Sequence, residues 1–217
     1  MTTSEKAQRP GLLLSCFDYS PVAEDEFHDW YDTEHFPERE RIPGFLDLRR
    51  WLEHSGKRVH VATYDLASVD VLRCPEYLAI GYENNGPWTR RIGWRCIKLL
   101  RMEGEQVVPG NALVPKEACG LLVRGFNVAP EFESQVVPAF RNFVDAVTGV
   151  KGYVCARLYR ATVSTHRYAA LINFDTAETP KGEAWGAAAD AAWNAGIGPH
   201  ERDRVEILTR RYIRMQD

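Results

Sequence analysis

The residues Trp30-Tyr31-Asp32-Thr33-Glu34-His35-Phe36-Pro37 put a phenol, a carboxylate and an imidazole within about two turns of helix. His35 is the natural proton carrier among them, because imidazole titrates near neutrality and can be acid and base in one turnover. At 100° per residue Phe27, Trp30, Tyr31 and Glu34 share one helix face, with His35 on its edge. A carboxylate among aromatics is costly unless paired or protonated, and Arg49 on the adjacent strand is a candidate partner. Glu34 then either holds the tautomer of His35 or fastens helix to sheet through an arginine. Pro37 cannot donate a backbone hydrogen bond to the carbonyl of Thr33, so the helix is disturbed there and its bent end can aim His35 into a cavity. The alternative is a histidine that bonds helix-end carbonyls or a carboxylate. Tyr31, one turn before His35, would donate a proton or orient a substrate carbonyl, although aromatic packing is its commoner fate.

Other residues could surround such a centre. Trp30, Trp51, Tyr64 and Trp88 would wall a pocket for a flat ligand, with Trp88 read alternatively as an interdomain plug. Strand alternation puts His60 on the face of Ala62 and Tyr64, so that His60 or Arg49 could steady a developing oxyanion. His28, Asp32 and His35 fall at i, i+4 and i+7, the spacing of a two-histidine, one-carboxylate metal set. No second histidine-rich segment completes it, and no metal is assigned. G-x-G-x-x-G, G-x-x-x-x-G-K, H-E-x-x-H and G-x-S-x-G patterns are absent, which disfavours the familiar nucleotide enzymes.

The elements that must hold these residues are written twice. Gly11-Leu12-Leu13-Leu14-Ser15-Cys16-Phe17-Asp18-Tyr19-Ser20-Pro21 reappears as Gly120-Leu121-Leu122-Val123-Arg124-Gly125-Phe126-Asn127-Val128-Ala129-Pro130. Gly44, Phe45 and Arg49 are echoed by Gly152, Tyr153 and Arg157, then Gly86-Pro87 and Arg90 by Gly198-Pro199 and Arg202, and Leu100 to Glu103 by Ile213 to Gln216. Colinear echoes mark an internal repeat. The polar cluster is not repeated, since Ala139 to Ala146 stand opposite Trp30 to Pro37. Patterning predicts strands over 11–18, 45–53, 58–66 and 94–103, with helices over 23–41 and 68–85. The second copy predicts strands over 119–127, 152–161, 167–175 and 204–215, with helices over 130–148 and 181–195.

The expected fold class is therefore α+β: two fused ferredoxin-like βαββαβ units whose antiparallel sheets pack face to face in a barrel-like arrangement. Residues 1–105 form the first unit, 106–117 the linker and 118–217 a second, degenerate unit. Exposed edge strands would leave room for further pairing, so the chain is expected as a monomer with an internal pseudo-dimer or as a homodimer.

A formal charge of -3 gives no footprint for nucleic acid. The polar segment Met1 to Pro10 has no apolar core, and no run suits a membrane span. Five cysteines without a C-x-x-C pair suit reduced thiols in a cytoplasmic protein.

The βαββαβ order, the helix ending Glu34-His35-Phe36-Pro37, the Ile42-Pro43-Gly44-Phe45 approach to the second strand and the Gly86-Pro87-Trp88-Thr89-Arg90 element together resemble the dimeric α+β barrel superfamily. The nearest resemblance is to EthD-like proteins, in which a His-x-Pro element ends the first helix. It covers the whole chain as two units, with the motif complete only in the first. It implies a pocket between sheet and helices but no single activity, because relatives include isomerases, cyclases, dehydratases, cofactor-free monooxygenases and haem proteins. The reading adopted is a cofactor-independent enzyme doing acid/base chemistry, as isomerase, dehydratase, cyclase or lyase, on a small aromatic or carbonyl metabolite. His35, Glu34 and Tyr31 carry it. The rivals are a non-catalytic ligand-binding or assembly protein and, third, a haem-binding barrel with a histidine as axial ligand.

Overall fold

The computed structural model describes residues 9–213. The polar amino-terminal segment before Arg9 and the echo of Arg101 to Glu103 in Arg214 to Gln216 lie outside the described residues. The strands are β1 (Gly11–Asp18), β2 (Phe45–Glu53), β3 (Val59–Leu66), β4 (Ile97–Val108), β5 (Gly120–Val128), β6 (Tyr153–Val163), β7 (Tyr168–Phe174) and β8 (Glu201–Arg211). They close into one antiparallel barrel in the order β1-β3-β2-β8-β5-β7-β6-β4. Cutting the ring at β2–β8 and β4–β6 leaves β4-β1-β3-β2 and β8-β5-β7-β6, the same order in each half.

Those two seams correct the expectation of separate sheets with free edges. Trp51 to Glu53 pair with Thr209 to Arg211, and Glu103 to Val108 pair with Leu158 to Val163, so hydrogen bonds join the halves edge to edge. Period-two alternation then sorts the side chains. Leu12, Leu14, Cys16, Val61, Leu121, Val123 and Leu171 fill the barrel with residues of both halves. Leu13, Ala62, Tyr64 and Leu66 face outward under the helices of the first half, and Phe126, Ala170, Ile172 and Phe174 do so in the second.

Glycines at matching positions of the repeat have matching reasons. A Cβ on Gly11 would stand 2.5 Å from the backbone nitrogen of Val69, and one on Gly120 would stand 2.6 Å from the carbonyl oxygen of Thr176. In each half the chain leaving the third strand crosses the start of the first at a separation only glycine allows. Gly44 (φ 94°) and Gly152 (φ 87°) precede the second strand of each half in the left-handed region that glycine adopts freely.

Acidic Glu24, Asp25 and Glu26 open α1 (Glu24–Trp30), as suits the positive end of a helix. A π turn over Tyr31–His35 comes next, in which the Phe36 N–H donates to the carbonyl of Tyr31, and α2 (Phe36–Glu40) completes the segment. The second helix of this half differs from expectation. Residues 68–85 hold only 3₁₀ turns and the short α3 (Pro75–Leu78), while the regular helix is α4 (Pro87–Arg95), which begins at a proline and takes the place of an expected strand start. The second half carries α5 (Val136–Val147) and α6 (Glu183–Ala195). Strand β4 runs on to Val108, so the connection between halves is 109–119. Val114 and Ala118 of this connection are buried in the barrel core. The backbone N–H of Val114 donates to Asp65 (3.2 Å), and Arg49 donates to the carbonyls of Val114 (3.1 Å) and Pro115 (2.8 Å).

Candidate functional site

Between the outer face of β1, β3 and β4 and the helices of the first half lies a cavity of about 400 Å³. Cross-strand pairs make its floor: Leu13 opposite Tyr64 on β3, Ser15 opposite Arg101 on β4, and Phe17 opposite Lys98. The helices supply Trp30, His35, Arg39, Thr89 and Arg90 to its walls, and the segment before α4 adds Tyr77 and Tyr82. In the second half Phe126, Phe140, Phe143, Trp185 and Trp193 pack over the outer face of the sheet, and a smaller cavity of about 290 Å³ lies among the helices, lined by Phe132, Ala139, Asn142 and His200.

His35 is held by rings rather than by hydrogen bonds. Its imidazole lies 4.4 Å from the Trp30 ring and 4.9 Å from that of Tyr31, centroid to centroid. Its Nδ1 is buried with no hydrogen-bond partner. Nε2 makes no hydrogen bond among the described residues and is the ring nitrogen left open to the cavity. Burial, then the charges of Arg39 and Arg50, holds its pKa well below 6.5, so the ring is neutral at pH 7. Arg39, buried one turn on, donates to the backbone carbonyl of His35 (2.8 Å) and pairs with Glu38 (3.1 Å).

Glu34 turns away from the ring, and among the described residues no hydrogen bond joins it to His35. The indole N–H of Trp30 donates to the Thr89 hydroxyl (3.0 Å), which in turn donates to Glu34 (3.2 Å). Glu34 therefore anchors α4 and the Trp30 wall. The helical wheel put Glu34 on the face of Trp30, and the two do meet at Thr89, while the expected arginine partner is absent among the described residues.

Tyr31 and Tyr64 are both buried, with hydroxyls 3.4 Å apart. Tyr64 lines the cavity and Tyr31 stands behind it. Burial, with the neighbouring Tyr64, raises the pKa of Tyr31 well above 10, and burial raises that of Tyr64, so both keep their protons. His60 does share the face of Tyr64, but it lies under Tyr31 (centroids 4.4 Å apart) and away from the cavity lining. Its Nε2 accepts from Arg50 Nε (3.1 Å), and burial followed by Arg50 depresses its pKa well below 6.5.

Arg50 engages two residues of the i, i+4, i+7 set. Its guanidinium donates to His28 Nδ1 (2.7 Å) and to Asp32, and it lies 4.5 Å from the Tyr31 ring and 4.1 Å from the Tyr212 ring. His28 and Asp32 thus face a cation, while His35 points into the cavity on the other side of Tyr31. Among the described residues no cluster of three metal-ligating side chains occurs. Tyr212, from beyond β8, donates to Asp32 (2.8 Å) and stacks on His28 (4.9 Å).

Three further residues depart from their expected places. Arg49 faces the barrel interior, paired with Asp47 (2.8 Å) and the connection's carbonyls, so it is no partner of Glu34. Trp51, two residues on and therefore on the same inward face, donates to Thr63 (3.0 Å) within the core. Trp88 packs against the core of the first half, with its indole N–H buried and unpartnered, so it is neither a cavity wall nor a plug between halves. The cavity instead uses residues that sequence reasoning passed over: Arg39, Tyr77, Tyr82, Arg90, Trp94, Lys98 and Arg101. Arg39 carried a signal, lying four residues after His35 on one helix. Tyr82 has φ 50°, an uncommon conformation for an aromatic residue, and its hydroxyl donates to buried Glu103 (2.8 Å).

No protein-family model and no curated protein matches the chain. Solved structures do. An anthrone oxidase-like protein superposes with TM-score 0.64 at 10% identity, covering 97% of this chain and 94% of that one. A provisionally assigned chlorite dismutase gives 0.63 at 11%, covering 95% and 96%. A provisionally assigned monooxygenase from Fusobacterium nucleatum subsp. nucleatum gives 0.61 at 8%, covering 94% and 93%. At such identities the likeness shows the α+β barrel fold.

Proposed function

We propose that the chain is a small-molecule enzyme of the dimeric α+β barrel type, EthD-like, doing cofactor-independent acid/base chemistry on an aromatic or carbonyl-bearing compound. Isomerisation, dehydration, cyclisation or C–C cleavage would each use the same parts. One observation carries the reading: a neutral imidazole opens by one nitrogen onto a cavity of about 400 Å³ walled by rings and cations. Structural neighbours named for oxidase, dismutase and monooxygenase activities support an enzyme of this fold.

In this scheme Nε2 of His35 takes a proton from an acidic C–H or O–H of the ligand, and the electron pair moves onto the ligand's carbonyl oxygen. The Tyr64 hydroxyl and the Arg39 guanidinium, both on the cavity wall, hold the developing oxyanion. Tyr31 positions Tyr64, and Glu34 positions Trp30 through Thr89. The imidazolium then returns the proton to a different atom of the ligand. The new anion beside the new cation offsets the desolvation that makes the resting imidazole a weak base.

A haem reading would make His35 the axial ligand. Ligating imidazoles ordinarily give their other N–H to an acceptor, and Nδ1 of His35 has none, so the residues do not fit that group. Matched strand orders and matched glycines support a tandem fusion of ferredoxin-like units over 1–105 and 118–217. The two seams support a monomer with an internal pseudo-dimer over a homodimer, and we place the protein in the cytoplasm.

The test is solvent-deuterium exchange into the acidic methylene of anthrone, a flat carbonyl compound suggested by the first structural neighbour and followed by NMR. Wild-type protein should accelerate exchange over buffer, and His35→Gln should lose about 10²–10⁴-fold of that acceleration with its thermal midpoint unchanged. Equal exchange in both proteins overturns the reading. A variant that fails to fold assigns His35 to the non-catalytic, structural alternative.

A further inference from the structure

The cavity has a charge pattern that acid/base chemistry alone does not require. Arg39, Arg90, Lys98 and Arg101 all line it, and no aspartate or glutamate does so among the described residues. Two of these cations are already matched, Arg39 by Glu38 (3.1 Å) and Arg101 by buried Glu103 (2.9 Å). Glu103 also takes Arg73 (2.7 Å) and the Tyr82 hydroxyl, so its capacity is spent on fixing that wall. The other two are not matched. Arg90 donates to the backbone carbonyl of Glu83 (3.0 Å) but makes no ion pair, and Lys98 makes none either, among the described residues. Both are exposed, as is Trp94, which is 84% exposed although it borders the same cavity. Such an indole and two unmatched cations form a rim, with aromatic rings below it. The sequence keeps the rim close together: Arg90 and Trp94 are one turn apart on α4, and Lys98 is the second residue of β4, which follows.

We infer that the cavity takes a flat aromatic carboxylate, with its ring system against Trp30, Tyr64 and Trp94 and its carboxylate held at the rim by Arg90 and Lys98. This rests on the proposal that the His35 cavity is the reaction site. The planar guanidinium fork of Arg90 matches a carboxylate in geometry as well as charge. Binding would place a negative charge in a wall that holds only positive ones, and would put the ring system within reach of His35 while its charged end stays at the solvent.

The test uses 2-naphthoate, its neutral isostere 2-naphthamide and 1-naphthyl phosphate, titrated into the whole protein. Tryptophan fluorescence reports affinity and the assigned imidazole signals of His35 report place. The expectation is that naphthoate binds at least tenfold tighter than the amide and shifts His35. Arg90→Gln/Lys98→Gln should lose about tenfold for naphthoate and less than twofold for the amide, which separates charge recognition from a collapsed fold. Amide and carboxylate binding alike, both shifting His35, would overturn the carboxylate inference and leave the reaction site standing. Tighter binding of the phosphate would overturn the choice of carboxylate. If no probe moves His35, both proposals fail.

Discussion

Acidification should weaken this fold earlier than its carboxylates would dictate. His35 and His60 have folded pKa values well below the ordinary 6.5, in both cases through burial first and nearby arginines second. A histidine whose folded pKa is depressed binds fewer protons in the native chain than in the unfolded one. Its contribution to stability is therefore fully present above about 6.5 and is lost as pH falls, with a limiting slope of about 1.4 kcal/mol per pH unit. Between pH 6.5 and 5.5, while half to nine-tenths of the unfolded imidazole is protonated, each such residue can withdraw up to about 1 kcal/mol. The pair gives about 2 kcal/mol, or about 4–8 °C in midpoint for a chain of this size. His28, depressed by burial and by Arg50, adds in the same direction. Asp18 and Glu103, whose pKa values are lowered, withdraw their contributions only at more acid pH, so this window belongs to the histidines. Urea unfolding at half-unit steps from pH 7.5 to 5.5 measures the slope, and His35→Gln should remove one histidine's share. A flat profile, or an unchanged slope in the variant, would refute the account of a half-buried, neutral His35 and the base role built on it.

Two further outcomes arise from packing. Arg157 donates to both oxygens of Asp65 (2.8 and 2.7 Å) inside the barrel, so Arg157→Leu should cost about 3–5 kcal/mol by stranding the carboxylate, while Asp65→Leu/Arg157→Leu should regain most of it in the same urea assay. Gly11→Ala drives a methyl into the backbone of Val69 and should lose about 1–3 kcal/mol, whereas Gly186→Ala, in α6 with nothing within 4 Å of the added methyl, should gain up to about 1 kcal/mol by calorimetry.

The strands and the first helix were legible because alternation and helical periodicity are local properties of the chain. Leu12, Leu14 and Cys16 against Leu13 already separate an inner from an outer face. The readings that failed were those that depended on register across space. Arg49 and Trp51 carry attractive chemistry, but only the pairing of β2 with β3 puts them inside the barrel. The seams could not be read, since nothing local marks Trp51 as the neighbour of Arg211. The cavity cations hid for the same reason. Ser15 and Arg101 are 86 positions apart and become adjacent only when β1 pairs with β4. Helix α4 falls between the helix expected over 68–85 and the strand expected from 94, although its opening proline is well suited to a first helical turn.

The π turn between Tyr31 and His35 gives the first half a feature that substitution cannot imitate. Such a turn holds one residue more than the α-helix it interrupts, and α5 of the second half shows a regular helix over the aligned stretch. Deleting Thr33 would restore an ordinary turn and, because the wide turn already absorbs the extra residue, would leave α2 and Arg39 facing much as they do while moving His35 against Trp30. The difference between the copies is thus partly one of length, a single inserted position that aims an imidazole.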